Sequence, residues 1–496
     1  MSAPHGDRRV DVHPRYDAVI GLEVHVHLKT RSKLFCDAPV VYGAPPNHAV
    51  TPVCLALPGV LPVLNRRAVE LAVRAGLATH CSVHPRSVFA RKNYFYPDLP
   101  KGYQISQYEE PLCTGGWIEI QVGEGERAEA HRIGITRIHM EEDAGKSVHD
   151  DSLAGAEGSL VDLNRAGVPL LEIVSEPDLR SAAEAGAYLR TLRSILRTIE
   201  VSDADMEKGQ FRCDANVSLR PKGSPAFGTR AEIKNLNSFR FVEGAIAHEI
   251  ERQARILDEG GRVVQSTLLY DPAAGRTRVM RVKENADDYR YFPDPDLVPL
   301  VIPPEEIERV RLELPELPDQ KRIRLEAEYG LTAYDARGLT ASRALADFFE
   351  AVARAHGSAK TVANWILRDV LQVLKEADAE PEAIRLEPAA LVRLLALVDA
   401  GRVTARSARE LLPELLLRGG DPEALVRERG LEAVSDAGLL EAAADEVIAA
   451  HADSAARVRA GEEKILNFLM GQVMKRTGGK ASPVAVREIL ARKLRS

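Results

Sequence analysis

The run from Ala18 to Thr30, AVIGLEVHVHLKT, alternates apolar and polar residues. Side chains on a β-strand point to opposite faces in turn. Leu22, Val24, Val26 and Leu28 therefore share one face, and Glu23, His25 and His27 the other. Phe211–Arg220 alternates just as cleanly, with Phe211, Cys213, Ala215, Val217 and Leu219 against Arg212, Asp214, Asn216, Ser218 and Arg220. Arg230–Asn237 places Arg230, Glu232 and Lys234 together. Ser159–Asp178 reads as two strand-like runs flanking a Gly167-Val168-Pro169 turn, with Glu172 and Glu176 projecting from the second. Helical spacing predicts helices over Arg66–Ala78 and Ser181–Ile199.

The texture changes near residue 297. Tyr291–Glu306, YFPDPDLVPLVIPPEE, carries five prolines, which exclude regular helix and predict a stiff connector. Pro304 suits the first position of a helix over Glu305–Leu314. Beyond it the pattern is helical. Val362, Ile366, Val370 and Leu374 recur every four residues, with Trp365 and Leu371 beside them. The pattern predicts an α+β half followed by an all-α half.

At 496 residues the chain predicts about two to four domains. Hydrophobic residues are 45% and charged residues 28%, as in ordinary globular chains. No apolar run reaches the ~18 residues of a membrane span, so no membrane association is expected. The opening MSAPHGDRRVDVHPRY lacks the apolar core of a secretory signal. Five scattered cysteines (Cys36, Cys54, Cys81, Cys113, Cys213) point to a reducing cytoplasm. A net charge of −7 does not advertise nucleic acid, so a binder would use a local basic face.

Carboxylate and imidazole on one strand face suit a divalent cation, although a water-facing strand shows the same pattern. If the faces bearing Glu23/His25, Asp214/Asn216 and Glu232/Lys234 belong to one curved sheet, carboxylates interleave with cations. That mixture suits Mg²⁺ with a polyphosphate. Periodicity alone does not make these strands neighbours. Ile133–Ser147, IGITRIHMEEDAGKS, brings Glu141, Glu142 and Asp143 to the end of a β-like run. Such a cluster is either solvated or neutralised by a cation. Gly145-Lys146-Ser147 is no P-loop, because Met140 stands where the motif needs its first glycine. Arg91–Gln107, RKNYFYPDLPKGYQISQ, gathers Lys92, Tyr94 and Lys101 into either a lined pocket or an ordered loop.

These segments carry a resemblance that covers nearly the whole chain. VIGLEVHV, LPGVLPVLN, RKNYFYPDLPKGYQISQ, HMEEDAGKS, SLVDLNRAGVPLLEIVSEPD, FRCDANVSLRP, EIKNLNSF and DDYRYFPDPDLVPL resemble signatures of the GatB/GatE family, which includes the GatB subunit of aspartyl/glutamyl-tRNA amidotransferase. So does the C-terminal FLMGQVMKRTGGKASP. The resemblance implies a cradle domain over 1–295, similar in fold to glutamine synthetase and the guanidino kinases. It implies a helical domain over 296–425 and a YqeY-like tail over 426–496.

The implied reaction is ATP- and Mg²⁺-dependent phosphorylation of the side-chain carboxylate of misacylated Glu-tRNA(Gln) or Asp-tRNA(Asn), then amidation by ammonia. An amidase subunit supplies the ammonia, and the heterotrimer is completed by a small third subunit. No Ser-Lys amidase segment or cysteine-amidase signature is evident in this chain.

By resemblance, Glu23, His25, Glu142, Asp214 and Glu232 are Mg²⁺ ligands, with Glu142, Asp214 and Glu232 catalytic. Lys92, Tyr94 and Lys101 line an ammonia passage, and Lys475, Arg476 and Lys480 of the basic tail contact tRNA. Many members carry two short cysteine pairs that bind zinc. Here only Cys36 and Cys54 remain, with His48 as a possible third ligand. Structural zinc usually takes four ligands, so it is not expected. The alternative is a tRNA-binding scaffold without chemistry, which would have no need of Glu23, His25, Glu142, Asp214 and Glu232 together.

Overall fold

A computed structural model describes residues 13–123, 128–148, 159–282, 289–433, 437–459, 462–477 and 481–495. The alternating run around Glu23 becomes strand β1 (Tyr16–His27), the middle member of a nine-stranded sheet. The others are β2 (Ser82–Val83), β3 (Cys113–Val122), β4 (Glu129–Glu142), β5 (Pro169–Ser175), β6 (Phe211–Pro221), β7 (Ala231–Leu236), β8 (Ser266–Asp271) and β9 (Arg276–Val282). The order across the sheet is β9-β8-β7-β6-β1-β5-β4-β3-β2. Neighbours are antiparallel except β7 and β8, which are parallel and joined through a helix, as a parallel pair requires.

The apolar face of this sheet is covered by α1 (Arg66–Ala78), α2 (Ala182–Thr198) and α3 (Phe239–Asp258). Each starts where a polar side chain accepts hydrogen bonds from the first turn: Asn65 for α1, Ser181 for α2 and Ser238 for α3. Ala18, Ile20, Leu22, Val24 and Val26 of β1 share one buried core with Leu71, Leu189, Leu192 and Ile246 of these helices. Burying that face leaves Glu23, His25 and His27 on the opposite side by the strand's own geometry.

The sequence reads the proline-rich stretch Tyr291–Glu306 as a stiff connector, with the first domain ending at 295. The stretch instead remains part of the first compact unit, which runs to Asp319. Phe292–Pro293 pairs with Ala90–Asn93, and Leu300–Val301 pairs with Arg86–Ser87. Val310 of helix α4 (Pro304–Leu312) and Leu317 join the first core. Proline bars helix but not edge pairing, and Arg91 anchors the stretch through the buried carboxylate of Asp294, Nε to Oδ2 2.9 Å.

The second unit begins at Gln320 and is helical. Among the described residues its buried side chains form two clusters, one between Leu325 and Val426 and one between Leu440 and Leu494. Val362, Ile366, Val370 and Leu374 are buried as their spacing predicts, but the helix that carries them widens into a π-helical segment at Trp365–Val370. Among the described residues, no helix is long and apolar enough to cross a membrane.

Candidate functional site

The polar faces predicted on separate strands are neighbours. Glu23 of β1 pairs with Asp214 of β6, and Asn216 of β6 with Glu232 of β7. On the other flank, His25 pairs with Glu172 of β5, and Glu172 with His139 of β4. Among the described residues two groups of metal-type donors result: Glu23, Asp214 and Glu232, and His25, Glu141 and Glu172. Within each group one ligand atom per residue lies within 4.8 Å of the others. The groups straddle β1, because Glu23 and His25 stand two positions apart on it, ~7 Å along the strand.

In the first group, Asn216 Nδ2 donates to Glu23 Oε1 at 2.9 Å. Lys234 Nζ lies 2.7 Å from Asp214 Oδ2 and 3.1 Å from Glu232 Oε1. Burial, then the charges of Glu172, Glu232 and Asp214, push the Glu23 carboxyl above its ordinary range, and Lys234 offsets this only in part. Burial disfavours the charge on Lys234, yet Asp214 and Glu232 outweigh it and hold the ammonium strongly protonated.

In the second group, His25 Nε2 lies 3.4 Å from Glu172 Oε2 and 3.7 Å from Glu141 Oε1. Burial works against an imidazolium here, but Glu172, Glu141 and Asp214 together push His25 up to about 9. The buried His139 places Nε2 3.6 Å from Glu172 Oε2 and 3.8 Å from Glu141 Oε2.

A third set stands beside these. Asp143 accepts from Arg212 Nη2 at 2.8 Å, and its Oδ2 lies 2.7 Å from His27 Nε2. Burial opposes its charge, but Arg212, His27 and Arg165 hold its carboxyl far below the usual range. β4 ends at Glu142, and Asp143 just beyond it meets Gly167, which lies two residues ahead of β5 and whose φ of +82° suits a residue without Cβ. Its amide donates to Asp143 O, and Val168 O accepts from the Asp143 amide.

The chain matches the family described as the GatB/GatE catalytic domain over residues 18–308, and the GatB domain over residues 347–494. The GatB-type subunit of the aspartyl/glutamyl-tRNA(Asn/Gln) amidotransferase of Geobacter sulfurreducens is 55% identical over 480 residues, covering 97% of this chain and 99% of that one. This chain belongs to the GatB family of tRNA-dependent amidotransferase subunits. The proteins of the same name from an Anaeromyxobacter species and from Thermosynechococcus vestitus are each 53% identical, over 97% of this chain and 99% and 96% of theirs.

Of the ligands that the family resemblance implied, the structure brings Glu23, Asp214 and Glu232 together and sets His25 beside them. The Glu142 carboxylate joins neither group. Successive residues of β4 point to opposite faces, so Glu141 reaches His25 while Glu142 turns away. Glu142 is instead bonded by Lys101, and its Oε1 accepts from the Ile105 amide at 3.0 Å. The donors that sequence reasoning missed are Glu141 and Glu172. Parity with His139 along β4 was the available signal for Glu141; Glu172 was already visible as a projecting side chain.

Lys92 faces the charges of Glu141 and Glu172, and its Nζ lies 5.1 Å from the centre of the Tyr289 ring. Tyr94 packs edge-on against Tyr289 at 6.0 Å and donates to Gln104 Oε1 at 3.4 Å. Lys101 belongs with Glu142. In the tail, Lys475 and Arg476 are exposed, but Arg476 is already paired with Glu446. Lys480 lies outside the described residues.

Proposed function

We propose that this protein activates the side-chain carboxylate of misacylated Glu-tRNA(Gln) or Asp-tRNA(Asn) by phosphoryl transfer from ATP, and that ammonia then displaces the phosphate. The observation that carries this reading is the pair of donor groups on either side of β1, with Lys234 and Arg212 beside them. A carboxylate resists ammonia because its oxygen is a poor leaving group.

In the first step a carboxylate oxygen bonds to the γ-phosphorus, the bond to the β–γ bridging oxygen breaks, and ADP leaves. In the second the ammonia nitrogen bonds to the acyl carbon, the bond to the phosphate oxygen breaks, and the nitrogen gives up a proton. Phosphoryl transfer of this kind depends on positioning and charge neutralisation more than on covalent help from the protein.

Glu23, Asp214 and Glu232 would hold one Mg²⁺, and His25, Glu141 and Glu172 a second divalent cation. Bound there, such ions supply positive charge to phosphate oxygens. Two features support the fit. Burial and then the charges of Glu172, Glu232 and Asp214 push Glu23 upward, and a cation bound there would offset both. Arg212 Nε, Asn216 Oδ1 and His139 Nδ1 are also buried without a hydrogen-bond partner among the described residues. Lys234 and Arg212 would neutralise the remaining phosphate oxygens, and Asp143 with His27 fixes the Arg212 guanidinium. Lys92 and Tyr94 would flank the approach of ammonia, with Lys101 steadied by Glu142.

The first compact unit is the proposed cradle, similar in fold to glutamine synthetase and the guanidino kinases. The helices beyond it, divided near residue 425, are the proposed helical domain and tRNA-reading tail. Ammonia would come from an amidase subunit, tied in by a small third subunit, in the cytoplasm.

The test uses the assembled complex, with ATP cleavage dependent on misacylated tRNA measured apart from glutamine hydrolysis. Asp214→Asn should abolish the first and spare the second. Normal tRNA-dependent ATP cleavage in that variant would sink the reading.

A further inference from the structure

Outside this site, a pair of thiols has chemistry of its own. Cys36 Sγ lies 3.4 Å from Cys54 Sγ. Lys33 Nζ lies 3.4 Å from the same Cys54 sulfur and 3.2 Å from Leu163 O. Thr51 Oγ1 is 3.5 Å from it as well. Lys33 is fully buried, and among the described residues no carboxylate stands within ion-pair distance of its ammonium. A buried, unpaired ammonium is costly, so the Cys54 sulfur is placed to carry the matching negative charge. The hydrogen bond from Cys36 lowers the Cys54 thiol against the cost of burial, with Thr51 and the charge of Lys33 adding to it, while the same hydrogen bond and burial raise Cys36. Cys36 is half-exposed, so the pair is within reach of a small oxidant. Cys81, Cys113 and Cys213 are buried, and burial raises all three thiols, which keeps them inert.

We propose that Cys36 and Cys54 form a reversible disulfide when the protein meets a peroxide, with Cys54 attacking and Cys36 resolving. The Cys54 thiolate bonds to one oxygen of hydrogen peroxide, the O–O bond breaks, and the departing hydroxide takes a proton to become water. The resulting sulfenic acid is then attacked by Cys36 sulfur, which sheds its proton. The S–O bond breaks and a second water leaves. Two thiols are oxidised by two electrons and one peroxide is reduced to two waters. A dithiol reductant reverses the bond by exchange. The bridge would fasten a segment already stitched to 161–164: the Asn47 amide donates to Asp162 Oδ1 and the Ala49 amide to Asn164 Oδ1.

The test treats the reduced full chain with hydrogen peroxide, counts free thiols and maps peptides without reduction. The thiol count should fall from five to three, with Cys36 and Cys54 linked, and dithiothreitol should restore five. In Cys36→Ser, a carbon-acid probe such as dimedone should label Cys54; in Cys54→Ser it should leave Cys36 unlabelled at the same dose. Lys33→Met should slow the reaction at pH 7 by about tenfold and regain speed at higher pH. Five intact thiols after peroxide, or a link that joins any other pair, would overturn the proposal. The mapping of the unsubstituted chain decides the matter even if a variant fails to fold.

Discussion

His25 and Glu172 face each other across the β1–β5 ladder, with Nε2 3.4 Å from Oε2. Two positions back along β1, Glu23 faces Asp214 across the β1–β6 ladder. One strand thus serves both donor groups, and each group has its own testable consequence.

Asp214→Asn and Glu232→Gln should lower tRNA-dependent ATP cleavage by about 10²-fold or more, the scale on which lost transition-state electrostatics are felt. Each exchange keeps the shape of the side chain and removes repulsion with Glu23, so the unfolding midpoint should hardly move. Steady-state ATP cleavage alongside a denaturant titration separates the two effects.

Glu172→Gln and Glu142→Gln should part company. The first removes a donor from the group at His25 and should weaken Mn²⁺ binding by about 10–100-fold. The second loosens Lys101 and leaves both donor groups whole, so Mn²⁺ affinity should stay as it was. Titration of Mn²⁺ by electron paramagnetic resonance reads this directly. Equal losses in both variants would return Glu142 to the metal site.

His25 predicts a pH dependence with a definite sign. Its value in the fold, about 9, lies above the ordinary 6.5. The stabilisation is therefore fully present below about 6.5 and disappears as pH rises through about 9. Urea midpoints of chelator-treated protein should decline across that window, and His25→Gln should flatten the decline. A bound cation reverses the preference, because a coordinating imidazole is neutral, so Mn²⁺ should release protons on binding.

Asp143→Asn should destabilise the fold by about 2 kcal/mol. That is less than the roughly 3–5 kcal/mol lost on breaking a fully buried pair, because Arg212 keeps some contact with water. The urea midpoint measures the loss. An unchanged midpoint would make Asp143 a bystander.

For the tail, Lys475→Ala should reduce the log–log salt slope of tRNA affinity by ~0.7–0.9 if it meets a phosphate. Arg476 should contribute less, since Glu446 already occupies it. Removing residues from 437 onward, which leaves the Leu325–Val426 cluster whole, should weaken tRNA binding while glutamine hydrolysis in the complex persists. Affinity across a salt series, for intact, substituted and truncated chains, checks all three.

Local periodicity determined which side chains share a face. Glu23 with His25, Asp214 with Asn216, and the span of α1 from Arg66 to Ala78 were all legible, because alternation and helical spacing follow from backbone geometry within a few residues. Strand order and register were not legible. That Glu23 meets Asp214, that Asn216 meets Glu232, and that His25 meets Glu172 depend on pairings between segments up to about two hundred residues apart. A slip of one residue would have turned each set to the other face. The neighbours of Glu141 and Glu142 were hidden for the same reason: both carboxylates fit the composition, and only the phase of β4 within the sheet sends one to His25 and the other to Lys101. The docking of the proline-rich stretch likewise came from a distant pairing partner, which no local pattern encodes.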